Sequence, residues 1–267
     1  MSHSYATHTV LITGASSGIG REFALAFAAR GADLVLVARR EERLRSLAAD
    51  IQSEYGSAVH VIPLDVSTPT AGADLLAAVQ AAGVRVTGLI NNAGFGTFGE
   101  FGGEDVARLA EEIAVDVSAP VQLSSAFLPE LLAAPDGFLI NVASMAAYTP
   151  TPRMAVYGAA KAFVLSFTEA LWYEFRGSGL TVFALSPGAT STEFNAVVGT
   201  DDATAGARAR PASSVVATAL NHLDRRHPAP SVIDGTSNRM AAALMRLFSR
   251  RATASLMGRL TDPSRRR

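Results

Sequence analysis

The chain has 267 residues, of which 49% are hydrophobic and 18% charged, with a formal net charge of −1. That balance excludes bulk disorder, and the length suits one large α/β domain with a sizeable core. The absence of cysteine excludes a disulfide framework, a thiol nucleophile, thiolate-bound zinc and iron–sulfur clusters.

His3, His8, His60, His222 and His227 follow no ligand spacing, so no metal site is expected. The N-terminus has no basic region followed by an apolar stretch, and no run of 18 apolar residues occurs, which reads as a soluble, unprocessed, cytoplasmic protein. Of the 23 basic residues 22 are arginine, and the single lysine is Lys161. An ammonium is a compact charge with a tunable pKa, so a position that keeps lysine in such a background invites a chemical reason.

The first apolar run, Thr9 to Thr13, is short and β-branched and stops at Gly14, as a buried parallel strand does. A helical pattern follows from Gly20 to Arg30, with Phe23, Ala24, Phe27 and Ala28 on one face and Gly31 as the stop. Further strands are predicted at Leu34–Ala38, Val59–Leu64, Gly88–Asn91, Phe138–Ala143 and Thr181–Leu185. Helical stretches near 40–54, 69–82, 104–132 and 157–176 separate them. Strict alternation predicts a Rossmann-like, doubly wound parallel sheet with helices on both faces, and ligands bound beyond the strand ends. The organisation expected is one domain over residues 1–238 and a basic, amphipathic extension over 239–267.

Thr13-Gly14-Ala15-Ser16-Ser17-Gly18-Ile19-Gly20 joins the first strand to the first helix. Glycines there let backbone approach a pyrophosphate, and the helix N-terminus adds unpaired N–H groups and a partial positive charge. At the end of the second strand, where an NAD enzyme offers a carboxylate to the ribose, the chain reads Ala38-Arg39-Arg40. Guanidinium groups there favour a 2′-phosphate, hence NADP, although arginines opening a helix also suit plain solvation.

Tyr157 and Lys161 stand at i and i+4 on one helical face. A neighbouring ammonium favours a phenolate and draws a tyrosine of ordinary pKa about 10 towards the range useful in acid/base catalysis. Ser144 closes the fifth strand 13 residues before Tyr157.

The glycine turn, Asn91-Asn92-Ala93-Gly94, Ser144, Tyr157, Lys161 and Pro187-Gly188, in order and register over residues 8–195, resemble the short-chain dehydrogenase/reductase family. The C-terminal stretch is most similar to bacterial reductases of the DltE-like group, whose substrates vary. The resemblance implies an NADP(H)-dependent oxidoreductase that interconverts a carbonyl and a secondary alcohol. It implies Tyr157 as general acid/base, Ser144 as hydrogen-bond donor to the carbonyl oxygen, and Lys161 as ligand of the nicotinamide ribose. Gly14, Ser16, Ser17, Gly18, Ile19, Gly20, Asp65, Val66, Tyr157, Lys161, Pro187, Gly188, Thr190 and Thr192 would join Arg39 and Arg40 in holding the cofactor, while Asn91, Ala93 and Gly94 would line its cleft chiefly through backbone, Asn91 and Asn92 also suiting structural strand-end caps. Where the family carries Asn before Val in the helix after the fourth strand, this chain has Asp116-Val117. A carboxylate there would offset part of the pull of Lys161 on Tyr157 and raise the phenol, unless Asp116 is merely a tolerated variant.

Met145, Ala146, Tyr148, Pro150, Pro152 and Met154, with Phe95, Phe98 and Phe101, suggest walls for an apolar or amphipathic small-molecule substrate. Residues 193–210 combine small and polar types where the family carries a mobile lid. From Arg239 to Arg267 eight arginines face one aspartate, a net +7 against −8 for the rest of the chain. Interleaved Leu244, Met245, Leu247, Phe248, Leu256, Met257 and Leu260 suit amphipathic helices resting on an anionic membrane, an acidic carrier protein or another subunit. Arg265–Arg267 are expected to fray. The tail has no aromatic interleaving suited to base stacking, so no nucleic-acid partner is expected, whereas a homo-oligomer is. The alternative to an enzyme is an NADP-binding sensor or scaffold with little turnover, which Asp116 and the basic tail would suit.

Overall fold

A computed structural model describes residues 5–200 and 207–262. In chain order it runs β1 (Thr9–Thr13), α1 (Gly18–Ala28), β2 (Asp33–Ala38), α2 (Glu41–Tyr55), β3 (Val59–Pro63), α3 (Ala71–Ala81) and β4 (Gly88–Asn91). There follow α4 (Val106–Ile113), a π-helical turn (Ala114–Ser118), α5 (Ala119–Ala133), β5 (Phe138–Val142), α6 (Ala155–Glu174) and β6 (Thr181–Ser186). The last part comprises β7 (Thr190–Ser191), α7 (Phe194–Val198), β8 (Arg210–Pro211), α8 (Ala212–Leu223), β9 (Ser231–Ile233), α9 (Thr236–Met245) and α10 (Arg250–Leu260).

Seven strands form one sheet in the order β3-β2-β1-β4-β5-β6-β9, and all its pairings are parallel. β1 pairs with both β2 and β4, so the winding reverses between β1 and β4, where a crevice opens beyond the strand ends. Alternate side chains of each strand enter opposite layers. Val10, Ile12, Leu34 and Leu36 pack with Phe23, Phe27 and Leu44 on one face, while Leu11, Val35, Val37 and Leu89 pack with Leu75, Leu123 and Phe127 on the other. Each large side chain so buried contributes about 1.5–3 kcal/mol, and Phe23, Phe27 and Phe127 are fully enclosed.

Three features depart from the sequence expectation. β9 adds a strand that its three residues were too few to signal. The long helix expected over 104–132 is interrupted by the π-turn, which widens the helix at Asp116. The boundary expected after residue 238 falls inside α9, and the segment beyond it packs on the main body. Thr261 donates to the Pro152 carbonyl at 3.3 Å, Arg153 donates to the Gly258 carbonyl at 3.2 Å, and Arg153 pairs with Asp262 at 3.6 Å. The outer side of α9 and the turn after it still leave Met240, Leu244, Leu247 and Phe248 exposed. Residues 201–206 of the expected lid and Arg265–Arg267 lie outside the described residues. Among the described residues no helix is long and apolar enough to cross a membrane.

Candidate active site

The turn between β1 and α1 is shaped by space that side chains would fill. Gly14 and Gly18 have φ of +68° and +55°, the left-handed region that glycine enters without a steric penalty. A Cβ on Gly20 would stand 2.4 Å from the Gly14 carbonyl oxygen, and one on Gly18 would stand 3.0 Å from the Thr192 methyl. Ser17 precedes α1 with no side-chain cap, which leaves the first N–H groups of the helix to an outside acceptor. Asn92 ties the neighbouring strand end to this turn by donating from Nδ2 to the Thr13 carbonyl at 2.8 Å.

A cleft of about 800 Å³ runs from this turn across the ends of β1, β4 and β5. Gly14, Ser16, Ser17, Gly18, Ile19, Arg39, Arg40, Asp65, Val66, Ala93, Gly94, Pro187, Gly188, Thr190 and Thr192 line it, together with Ser144, Tyr157 and Lys161. Gly20 lies beneath the turn, and Asp116 lies beneath Gly94, so neither forms the wall itself.

Asn91 points its side chain away from the cleft and takes the structural strand-end role. Its side chain donates to Asn141 Oδ1 at 2.8 Å and to Ser124 Oγ at 3.1 Å, and Asn141 in turn donates to Thr168 at 2.9 Å. The last residue of a strand buried on both faces turns its amide into the sheet–helix interface, where Nδ2 is paired and Oδ1 is buried without a partner among the described residues.

At one end of the cleft, Arg40 donates to Ser16 Oγ at 2.9 Å and to Ser17 Oγ at 2.9 Å, and its other nitrogen meets Glu193 at 2.8 Å. Arg43 also pairs with Glu193. The two guanidinium groups hold the Glu193 carboxyl down at about 2. Arg39 reaches Glu111 at 3.2 Å and Asp65 at 3.9 Å, while Asp65 Oδ1 accepts from the Ser67 N–H at 2.9 Å. Burial works to raise the Asp65 carboxyl, but the Ser67 donors and Arg39 carry it below its ordinary value.

At the other end, Ser144 follows β5, and its Oγ accepts from the Ala146 N–H at 3.1 Å. α6 presents Tyr157 and Lys161 on one face, with the ammonium 5.6 Å from the centre of the phenol ring. Lys161 Nζ donates to the Val142 carbonyl at 3.3 Å and stands 3.5 Å from Asp116 Oδ2. Asp116, wholly buried in the π-turn, accepts from the Phe95 N–H at 3.2 Å through its other oxygen. Burial pushes the Tyr157 phenol up, Lys161 and the Ser144 hydrogen bond oppose that, and Asp116 adds to the rise. Without a bound ligand, therefore, the net displacement of the phenol is upward.

The substrate side is partly as expected. Phe95, Met145, Ala146, Tyr148 and Met154 line the cleft, whereas Phe101 is 68% exposed and Pro152 packs on Gly258 of α10. Sequence reasoning missed Asn238, Ala241, Ala242, Met245, Met257 and Leu260, which bring α9 and α10 into the wall. Their helical spacing was visible, but an amphipathic stripe does not say which surface it covers. Phe194, also missed, packs its ring 5.3 Å from that of Tyr157.

The sequence matches the profile of the family described as short chain dehydrogenase over residues 8–203. It is 36% identical over 192 residues to the short chain dehydrogenase MYCFIDRAFT_6125 of Pseudocercospora fijiensis, spanning 70% of this chain but only 61% of that protein. It is 38% identical over 214 residues to the sulfoacetaldehyde reductase of Chromohalobacter salexigens, spanning 79% of this chain and 84% of the relative. A short-chain dehydrogenase from Sphingobium yanoikuyae, solved in complex with NADPH, superposes with a TM-score of 0.79 at 35% identity. The aligned part covers 90% of this chain and 93% of that one. Fold, glycine turn and matched sequence converge on one statement: the chain belongs to the short-chain dehydrogenase family of oxidoreductases.

Proposed function

We propose that the chain catalyses NADP(H)-dependent interconversion of a carbonyl and a secondary alcohol, with Tyr157 as the proton donor and acceptor. The observation that carries this reading is the convergence of Ser144, Tyr157 and Lys161 at one end of a cleft whose other end is the glycine turn and Arg40. The site fits a dinucleotide: glycine Cβ atoms would fill the space its phosphates need, and an uncapped helix N-terminus faces that space. Arg39 and Arg40 would hold a 2′-phosphate through charge-assisted hydrogen bonds. Asp65 and Val66 would border the adenine, and Ala93, Gly94, Pro187, Gly188, Thr190 and Thr192 would flank the rest of the molecule. When bound, NADPH supplies the hydride.

The chain supplies the proton and the orientation. Ser144 Oγ, held at the end of β5, donates to the substrate oxygen and fixes it beside Tyr157. The phenol delivers its proton to that oxygen as negative charge develops there, and Lys161 stabilises the phenolate left behind. Met145, Met154, Met245, Met257 and Leu260 exclude water and give the substrate an apolar surface, which suits an apolar or amphipathic carbonyl compound.

The test is NADPH oxidation by the purified protein against sulfoacetaldehyde, a 3-oxoacyl thioester and a bulky aryl ketone, with NADH in parallel. Turnover of one of them, faster with NADPH and abolished by Tyr157→Phe, is the expected result. Turnover that survives Tyr157→Phe, or that is faster with NADH, would overturn the assignment concerned.

A further inference from the structure

α9 and the turn after it are apolar on two sides. On the inner side Ala242 is buried and Met245 lines the cleft. On the outer side Met240, Leu244, Leu247 and Phe248 recur at the spacing of one helical face. The helical course carries through the turn, since the Leu247 N–H donates to the Leu244 carbonyl at 3.0 Å and the Phe248 N–H to the Met245 carbonyl at 3.3 Å. Met240 is 69% and Leu247 81% exposed, so nothing among the described residues covers this stripe. A helix apolar on both sides ordinarily has a partner on each.

The charges around the stripe have one sign. Between Thr236 and Leu260 there are five arginines, Arg239, Arg246, Arg250, Arg251 and Arg259, and no carboxylate. All five are exposed, and among the described residues none is in an ion pair. The carboxylates at the two ends of the segment are engaged already, Asp234 by Arg210 at 2.7 Å and Asp262 by Arg153 at 3.6 Å. A partner for this surface must therefore offer both negative charge and an apolar medium. A second copy meeting the first about a two-fold axis would set these arginines against their own equivalents, which like charges disfavour. A folded acidic protein supplies the charge, but it would need an apolar groove shaped to these four side chains. An anionic bilayer supplies both, because an interfacial helix sinks about 5–10 Å to the boundary of headgroups and acyl chains.

We infer that α9, the turn after it and the start of α10 form a docking surface for an anionic lipid bilayer. Leu247 and Phe248 enter the acyl boundary, with Met240 and Leu244 beside them, and Arg239, Arg246, Arg250 and Arg251 meet lipid phosphates through charge-assisted hydrogen bonds. This placement gives the cleft a route to lipid. Ala241, between Met240 and Leu244 on α9, is exposed and also lines the cleft, as does Leu260 of α10. An apolar rim thus joins the stripe to the cavity walled by Met245 and Met257. A long-chain carbonyl amphiphile enters from the bilayer along this rim, its carbonyl leading towards Ser144 and Tyr157. That step rests on the reductase reading of the site, whereas docking does not.

Sedimentation of the full chain with vesicles tests docking. The protein is expected to pellet with vesicles of phosphatidylcholine and phosphatidylglycerol in equal parts, to stay in solution with phosphatidylcholine alone, and to be released by added salt. The double variant Leu247→Glu, Phe248→Glu, with circular dichroism showing an intact fold, should no longer pellet. Arg246→Gln and Arg250→Gln should each weaken binding about fivefold. Wild type that stays in solution with the anionic vesicles, or pelleting that the double variant retains, would overturn the inference. In the first case, a dimer in light scattering that the double variant dissolves would assign the stripe to a second copy, and polyglutamate bound in place of vesicles would assign it to an acidic protein. Delivery is read from NADPH-dependent reduction of a long-chain alkyl ketone carried in the anionic vesicles and of a short soluble ketone. Docking raises the effective concentration of the first, so the double variant should lose about 100-fold in kcat/KM on it and nothing on the second. Unchanged kcat/KM on the vesicle-borne ketone would refute delivery. Turnover of neither ketone by the wild type removes the reductase reading and delivery with it, while pelleting still decides docking.

Discussion

At the arginine end of the cleft the wall is mostly main chain, glycines at positive φ and bare N–H groups of α1, with the Arg40 guanidinium held by hydroxyls of the same turn. At the tyrosine end the walls are side chains brought from α6, α7, α9 and α10, segments far apart in the sequence. The first kind of site tolerates little change but depends on few residues. The second can be altered residue by residue, since each wall position contributes contact area and not backbone geometry.

Substitutions should separate the two regions, and the largest effect is expected at the proton donor. Tyr157→Phe removes general acid/base catalysis, a loss of about 10²- to 10⁴-fold in kcat, while titration with NADPH should show cofactor affinity unchanged. Affinity that falls with kcat would place the phenol in binding. At the arginine end, Arg40→Ala removes charge-assisted hydrogen bonds worth about 1.5–3 kcal/mol. The preference for NADPH over NADH, read from kcat/KM, should therefore fall by about 10- to 100-fold. Glu193→Gln should move the same ratio the other way, because Glu193 competes for Arg40 and Arg43.

The wall should respond more gently. Met257→Ala is expected to change kcat/KM for apolar ketones by about 10-fold, with no effect on the cofactor ratio. An equal change in the cofactor ratio would show that the two regions are not independent.

The smallest effect is one of stability. Burial on folding raises the Glu112 carboxyl from its ordinary 4.5 to about 7, so the native state holds this proton more tightly than the unfolded chain does. The wild type therefore loses stability from this group as pH rises across that window. Urea unfolding of Glu112→Gln at pH 5 and pH 8 should show the variant gaining relative to the wild type at the higher pH.

The same division decided what could be read beforehand. Alternating apolar runs and the Gly14 to Gly20 turn carry local signals, because a buried strand and a tight turn constrain adjacent residues. Right-handed crossovers predicted helices on both faces, but the place of the reversal, between β1 and β4, came only from the strand pairing. The direction of the Asn91 side chain was left open because a strand-end amide can face a cleft or a helix, and only the position of Asn141 and Ser124 decides which. Glu112 gave no signal, since a charged residue on an amphipathic helix ordinarily faces water. The arginine-rich stretch beyond residue 238 carried two patterns at once. Its Ala242, Met245 and Met257 turn to the cleft, while Arg250 and Arg251 stay exposed; the amphipathic pattern was legible, but not the surface its apolar side covers.

α9 and α10 lie wholly beyond residues 8–203, the stretch that matches the family profile. The chain is thus modular in a practical sense. A library confined to Ala241, Ala242, Met245, Met257 and Leu260 could redesign substrate choice while leaving untouched the glycine turn, Arg40 and Asn238, which packs on Gly188.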